Sequence, residues 1–168
     1  MRGGSVSKPG SIQRQLDPDD MISSNDIERN GLRWTTVDNI RENLYEDEPL
    51  IVNTCLENET GIHWIVLILI ANEVLIIDPL GPNNKRPHDD VMRQQLQGFT
   101  INFYNGEIQY EDRRSVQCGW YAILISKKLE NVKTIDDAIE ILDSLFDRKA
   151  TDDNLRTLID HFGLRTKK

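Results

Sequence analysis

Two continuous apolar runs stand out in the pattern of hydrophobic and polar positions along the chain. Ile65–Ile70 and Val74–Ile77 consist of aliphatic residues, and only Ala71, Asn72 and Glu73 separate them. Each run is too short for an ordinary helix, so both are typical of neighbouring strands that are buried on two faces. The pattern therefore predicts a central hairpin with a tight turn at Ala71-Asn72.

The length of that turn decides the register of the hairpin. With a two-residue loop Ile70 pairs with Glu73 and, counting outward, Ile65 pairs with Asp78. His63 and Asp78 are then diagonal neighbours on one face, with Cβ atoms roughly 7–8 Å apart. A three-residue loop would place them on opposite faces, and alanine resists the positive φ that a tight turn needs. The loop length therefore decides whether this imidazole and this carboxylate can meet.

The remaining segments predict an α+β fold with a central mixed or antiparallel sheet of about five strands, flanked by helices. Besides the central hairpin, strands are predicted over Leu50–Thr54, Thr100–Tyr104 and Glu107–Tyr110, the last two joined by an Asn105-Gly106 turn. Helices are predicted over Ser23–Leu32, Thr36–Tyr45, Asp89–Leu96, Cys118–Leu129, Ile135–Phe146 and Asp153–Phe162. Residues 1–20 are polar and rich in Gly, Ser and Pro, which predicts a flexible arm before a single domain over 21–168.

Composition narrows the classes of protein that fit. The 168 residues are 38% hydrophobic and 29% charged, which suits one compact domain. No apolar run reaches the roughly 20 residues that cross a bilayer, and the first residues lack the apolar stretch of a signal peptide. A net charge of −8 argues against nucleic acid as the main partner. We therefore expect an intracellular monomer in a reducing compartment.

Cys118 lies where a charged loop becomes an apolar helix, in the segment Q-Y-E-D-R-R-S-V-Q-C-G-W-Y-A-I-L-I (Gln109–Ile125). The positive end of a helix stabilises a thiolate, and a neighbouring imidazolium adds to that effect. Gly119 lets another backbone approach and leaves room for a substrate. If the helix docks on the central hairpin, Cys118, His63 and Asp78 become nucleophile, base and orienting acid.

Each of these residues also has an ordinary structural explanation. A cysteine at a helix start is more often a small buried hydrophobe, a histidine entering a strand is usually structural, and Asp-Pro usually marks a turn. Their common position at the ends of elements favours a site. Metal binding is disfavoured, because the three histidines and two cysteines show no ligand spacing. We expect neither a metal nor a cofactor.

Three segments resemble the adenovirus protease (adenain) family and, more broadly, the clan of SUMO- and ubiquitin-like-protein-specific proteases. They are I-V-N-T-C-L-E-N-E-T-G-I-H-W-I-V-L (Ile51–Leu67), I-I-D-P-L-G and S-V-Q-C-G-W-Y. The similarity covers about half of the chain. It implies a papain-like cysteine protease core in which Cys118 is the nucleophile, His63 the general base and then acid, and Asp78 its partner. It also implies an oxyanion hole formed by the backbone N–H of Cys118 and a glutamine side chain.

The glutamine is where the chain departs from the family. The family has it about six or seven residues before the cysteine, where this chain has Asp112 and Glu111. A carboxylate accepts hydrogen bonds but does not donate them. Gln109 is therefore the best candidate if the loop is two residues longer than in the family, whereas Gln117 would point with the helix start and is less suitable. The resemblance also suggests that Trp64 walls a narrow cleft over a glycine of the substrate, with a core role as the alternative.

By resemblance the chain is a viral cysteine endopeptidase that processes capsid and core precursor proteins at glycine-containing sites, in the virion and the infected cell. The chain is shorter than the adenovirus enzymes, which suggests a compact relative from a virophage, a virus-like transposon or another double-stranded DNA virus. Alternatives are a ubiquitin-like-protein deconjugase, an acyltransferase, or a non-catalytic module that binds a Gly-rich tail. Human-type adenovirus proteases are activated by a viral peptide through a disulfide, and by DNA. Only Cys55 is spare here and the chain is acidic, so neither mode is supported.

Overall fold

A computed structural model describes residue 18 and residues 20–60, 63–110 and 117–164. Its centre is a five-stranded mixed sheet with the strands in chain order, and the fold is α+β as predicted. The two inner pairings, β2–β3 and β3–β4, are antiparallel, and the two outer pairings are parallel. The strands are β1 (Trp34–Thr36), β2 (Leu50–Asn53), β3 (Trp64–Ile70), β4 (Glu73–Ile77) and β5 (Thr100–Phe103).

Most of the predicted helices form within two or three residues of their expected bounds. Side chains of Ser23, Thr134 and Thr151 accept a hydrogen bond from the backbone of the first turn, so three helices begin where the sequence predicts. The helices are α1 (Ser24–Arg29), α2 (Ile40–Asn43), α3 (Asp89–Gln95), α4 (Cys118–Lys128), α5 (Ile135–Leu145) and α6 (Asp152–Phe162). None of the described helices is both long and apolar enough to span a membrane.

The helix expected over Thr36–Tyr45 is much shorter than predicted. A 3₁₀ turn over Val37–Asn39 precedes the four residues of α2, and Thr36 belongs to β1. The Asn43 side chain bonds the carbonyl of Asn39 at 2.8 Å. Asparagine side chains that bond the backbone locally compete with helix formation, which explains the short element.

Helices cover both faces of the sheet, which explains why the central strands are apolar without alternation. One face of β3, including Val66 and Ile68, packs in a core with α4, α5 and α6. The other face, including Ile65 and Leu67, packs with α2 and α3. All seven residues of β3 are buried. The candidate site therefore stands at the end of the most deeply buried part of the sheet.

The central hairpin has the predicted two-residue loop. Ala71 and Asn72 both have positive φ, at +51° and +70°. Ile70 pairs with Glu73 and Val66 with Ile77, so the predicted register is confirmed. This register places the residue before β3 and the residue after β4 at the same end of the sheet.

The predicted hairpin at Asn105-Gly106 is wrong. No residue of Glu107–Tyr110 belongs to a strand; instead the backbone N–H groups of Ile108 and Gln109 both bond the Pro79 carbonyl at 2.8 Å. Gly106 packs against the Tyr104 ring, where an added Cβ would lie 2.5 Å from the ring. The glycine therefore serves close packing rather than a turn between two strands. The strand that the sequence did not predict is β1, because its three residues are too few for a strand pattern to be recognised.

Candidate active site

His63 and Asp78 meet at the end of the central hairpin. His63 directly precedes β3 and Asp78 directly follows β4, and His63 Nε2 lies 2.8 Å from Asp78 Oδ1. Both residues are buried, with 8% and 1% of their surface exposed. The structure therefore confirms the predicted meeting of the two side chains.

The Asp78 carboxylate accepts hydrogen bonds on both of its oxygens. Oδ1 also accepts from the Leu80 backbone N–H at 2.9 Å, and Oδ2 accepts from Asn84 Nδ2 at 3.1 Å and Arg86 Nη1 at 2.9 Å. Burial opposes ionisation of Asp78. The hydrogen bond and the charge of His63, together with the hydrogen bonds from Asn84 and the Leu80 backbone, nevertheless hold the pKa of Asp78 below its usual value. Asp78 is therefore a fixed, charged carboxylate.

Cys118 is the first residue of α4, and 1% of it is exposed. The backbone N–H of Trp64 donates to Cys118 Sγ at 3.4 Å, which connects the sulfur to the start of β3. Because Asp78 occupies Nε2 of His63, Nδ1 is the ring nitrogen left for the sulfur. Nδ1 is buried and has no hydrogen-bond partner among the described residues, although Cys118 lies close enough to affect the pKa of the ring. The structure thus brings together all three residues that the sequence predicts for the catalytic group.

His63 is charged at neutral pH in this arrangement. Burial disfavours the imidazolium, but Asp78 and then Cys118 outweigh it and raise the pKa of His63 to about 9. A cation beside a sulfur at a helix N-terminus favours the thiolate over the thiol. The arrangement can therefore hold a thiolate–imidazolium pair backed by a carboxylate.

A cavity of about 280 Å³ leads to Cys118 and Gly119. Two indole rings, of Trp34 and Trp64, border it with their centroids 5.8 Å apart and their planes at 87°. Asn53, at the end of β2, also lines the cavity. Trp64 was expected at the cleft, but Trp34 was not, because only the pairing of β1 with β2 places it on this face.

The segment before α1 packs on the start of α4. The Trp120 indole N–H donates to the Asp20 carbonyl at 2.7 Å. Ile22 lies so close to Gly119 that an added Cβ there would be 2.5 Å from Ile22 Cβ. The group that approaches Gly119 is the side chain of Ile22, whereas the sequence predicted another backbone and room for a substrate. The role of Gly119 in substrate binding stays a prediction. Met21 and Ile22 form one wall of the cavity.

Gln109 lines a different cavity from the one that leads to Cys118. It is buried and lines a second cavity, of about 730 Å³, together with Leu80 and Asn84. Gln117, the alternative donor, is the buried residue just before α4. Glu111 and Asp112, which occupy the family's glutamine positions, lie outside the described residues. The role of Gln109 stays a prediction.

Cys55 lines the same cavity as Cys118, and neither cysteine forms a disulfide. Burial, followed by the charges of Glu59 and Asp38, raises the pKa of Cys55. Among the described residues, no group of three or more His, Cys, Asp or Glu side chains is arranged to hold a metal ion.

Comparison with known proteins adds one weak structural likeness. The chain is similar to the ASFV pS273R protease, in a crystal structure of its selenomethionine form, with a TM-score of 0.47 and 14% sequence identity. The match covers 92% of this chain and 72% of that one. No model of a protein family matches the chain, and no curated protein matches it.

Proposed function

We propose that this chain is a cysteine peptidase in which Cys118 is the nucleophile, His63 transfers the protons and Asp78 orients His63. The observation that carries the proposal is the buried contact of 2.8 Å between His63 and Asp78, with the Cys118 sulfur beside the same ring. The proposed nucleophile begins α4, and the proposed base and orienting group directly flank β3 and β4, so packed elements hold all three groups, as nucleophilic catalysis favours.

The proposed reaction follows from the charges of these groups. The Cys118 thiolate attacks the carbonyl carbon of the scissile bond, and the electron pair of the C=O bond moves to the oxygen. The C–N bond then breaks as the His63 imidazolium gives its Nδ1 proton to the leaving amine. Water, deprotonated by His63, attacks the thioester, and the thiolate leaves as the carboxylic acid forms.

The negative oxygen of the intermediate requires N–H donors nearby. The first N–H groups of a helix have no hydrogen-bond partner within the helix. Because Cys118 begins α4, its backbone N–H is the first proposed donor. The Gln109 side chain is the second, on the strength of the resemblance. Substrate is proposed to enter the cavity that Trp34 and Trp64 border and that leads to Cys118. On the strength of the resemblance, Trp64 is proposed to lie over a glycine of the substrate.

We propose more specifically that the enzyme is an endopeptidase that cleaves viral capsid and core precursors at glycine-containing sites, in the infected cell and the virion. The resemblance of residues 51–67 to adenovirus proteases supports this role. The net charge of −8 supports protein rather than nucleic acid as the main partner.

The first test is alkylation of the native protein by iodoacetamide across pH, with each cysteine read by mass spectrometry. Because Cys55 lines the same cavity and has a raised pKa, it serves as the internal control. At about pH 6.5 we expect Cys118 to react at least about tenfold faster than Cys55, and His63→Ala to remove the difference. Equal rates, or Cys118 reaction only above about pH 8.5, would overturn the proposal.

The second test measures cleavage. Peptides with internal glycine sites should be cut by the wild type and by Cys55→Ser, but not by Cys118→Ala or His63→Ala. Release of a ubiquitin-like tail, with no cutting of these peptides, would replace the endopeptidase by a deconjugase. Peptide binding that survives alkylation of Cys118, with no cleavage, would indicate a binding module.

A further inference from the structure

Arg86 forms a buried ion pair behind the proposed catalytic group. Only 5% of its side chain is exposed; Nη1 lies 2.9 Å from Asp78 Oδ2 and Nε lies 3.1 Å from Asp89 Oδ1. The guanidinium carbon also lies 4.9 Å from the centre of the Phe103 ring. A guanidinium keeps its charge at all working pH values, so its burial is tolerated only because both carboxylates neutralise it.

We propose that Arg86 is a positioning residue: it locks the orientation of the Asp78 carboxylate and offsets part of its charge, and thereby sets how His63 is held and how readily it gives up its proton. The catalytic part of this inference rests on the proposed function of His63 and Asp78. Its effect on the titration of His63 does not.

The geometry carries the first half of the proposal. Asp78 presents Oδ1 to His63 and Oδ2 to Arg86, so the two partners hold opposite ends of one carboxylate. The terminal torsion of an aspartate is broad. Without Arg86, Oδ2 would keep only the neutral Asn84 Nδ2 donor among the described side chains, at 3.1 Å. Arg86 is itself fixed, by the Asp89 carboxylate and by the Phe103 ring. It therefore acts as a rigid brace, which a flexible lysine would reproduce poorly.

The order of charges carries the second half. Asp78 bonds the His63 ring, Cys118 lies close enough to affect the pKa of that ring, and Arg86 and then Asp89 stand behind Asp78. The signs alternate along this row when the sulfur is a thiolate. The positive charge of Arg86 weakens the field of Asp78 at the imidazolium, and without it His63 would hold its proton more tightly.

The experiment compares Arg86→Met with Arg93→Met in the full chain. Arg93 is the matched control. Like Arg86 it bonds Asp89, at 3.1 Å, and lies near the Phe103 ring, 5.5 Å from its centre. Unlike Arg86, it is half exposed and its ion pair is with Asp89, not with Asp78. The pKa of His63 is read by NMR on protein labelled with ¹⁵N-histidine. We expect Arg86→Met to raise it by about 0.5–1 pH unit and Arg93→Met to leave it unchanged.

Kinetics supply the second reading. Arg86 does not line the cavity at Cys118, so Arg86→Met should lower kcat by about tenfold with KM unchanged. Arg86→Lys keeps the charge and loses the fork: it should keep the pKa of His63 and still lose kcat severalfold. If Arg86→Met does not fold, an Arg86→Lys protein with wild-type kcat overturns the proposal.

The outcomes separate this inference from the proposed function. An unchanged His63 titration with unchanged kcat in Arg86→Met, even with a lower melting temperature, would reduce Arg86 to a structural ion pair. If the wild type cleaves nothing and Cys118 is unreactive, while Arg86→Met still shifts His63, then the coupling stands and the peptidase proposal fails.

Discussion

The raised pKa of His63 makes the stability of this protein depend on pH in a predictable direction. The pKa is about 9 in the folded chain against an ordinary value of 6.5, with Asp78 and Cys118 as the cause. Such a group stabilises the fold fully below about pH 6.5, and this contribution is lost as the pH rises through about 9. At about 1.4 kcal/mol per pH unit of difference, the loss amounts to about 3 kcal/mol.

Urea unfolding from about pH 6 to pH 10 measures this loss, with His63→Gln as the perturbation. We expect the wild type to lose about 3 kcal/mol more of unfolding free energy than the variant over this range. For a chain of this size, that is about 6–12 °C in Tm. His88→Gln is the control, because the His88 ring pairs with Glu59 at the surface, and it should keep the wild-type dependence. Parallel curves for the wild type and His63→Gln would refute the ion pair at the candidate site.

Three further substitutions test single features of the fold and the site. Ala71→Gly removes the side chain that opposes a φ of +51°, and should raise the unfolding free energy by about 1 kcal/mol, seen as a Tm about 2–4 °C higher; no gain would contradict the left-handed turn. Gly119→Ala forces its Cβ onto Ile22 and should cost about 1–3 kcal/mol by urea unfolding. Combining it with Ile22→Gly, which removes the Cβ at 2.5 Å, should restore part of that loss, and strict additivity would exclude the contact. Gln109→Ala should lower kcat by about 10²–10³ if this side chain is an oxyanion donor, whereas near-normal turnover would assign that role elsewhere.

The sequence predicts best the parts of the fold that depend on local rules. Strand periodicity and the number of turn residues together determine the register of the central hairpin, and hence the meeting of His63 and Asp78. Side-chain caps at Ser23, Thr134 and Thr151 mark helix starts by the same kind of local chemistry. Cys118 follows from such a start, because an apolar run succeeds a charged one.

The features that were missed depend on contacts between distant segments. β1 and β5 join the sheet in parallel, and a parallel pairing carries no turn signal from which its partner can be read. Trp34 reaches the cavity only through such a pairing. Asn105-Gly106 carries the strongest short hairpin signal, but the packing of Tyr104 prevails over it. Arg86 reads as an ordinary loop residue until the fold places its guanidinium against Asp78.

The separation of the candidate residues along the chain has a consequence for the order in which the site assembles. His63 and Asp78 are 15 residues apart, on adjacent strands of one tight hairpin, whereas the Trp64 N–H and the Cys118 sulfur are 54 residues apart. Contacts between near neighbours close early in folding, and distant ones follow when larger parts of the chain have collapsed. We therefore expect hydrogen exchange during refolding to show β3 and β4 protected early. Alkylation pulses in the same experiment should find that Cys118 becomes reactive only later. If the Cys118 sulfur becomes reactive only in the last step of folding, a newly made chain has little time to modify itself or its neighbours while it is still unfolded.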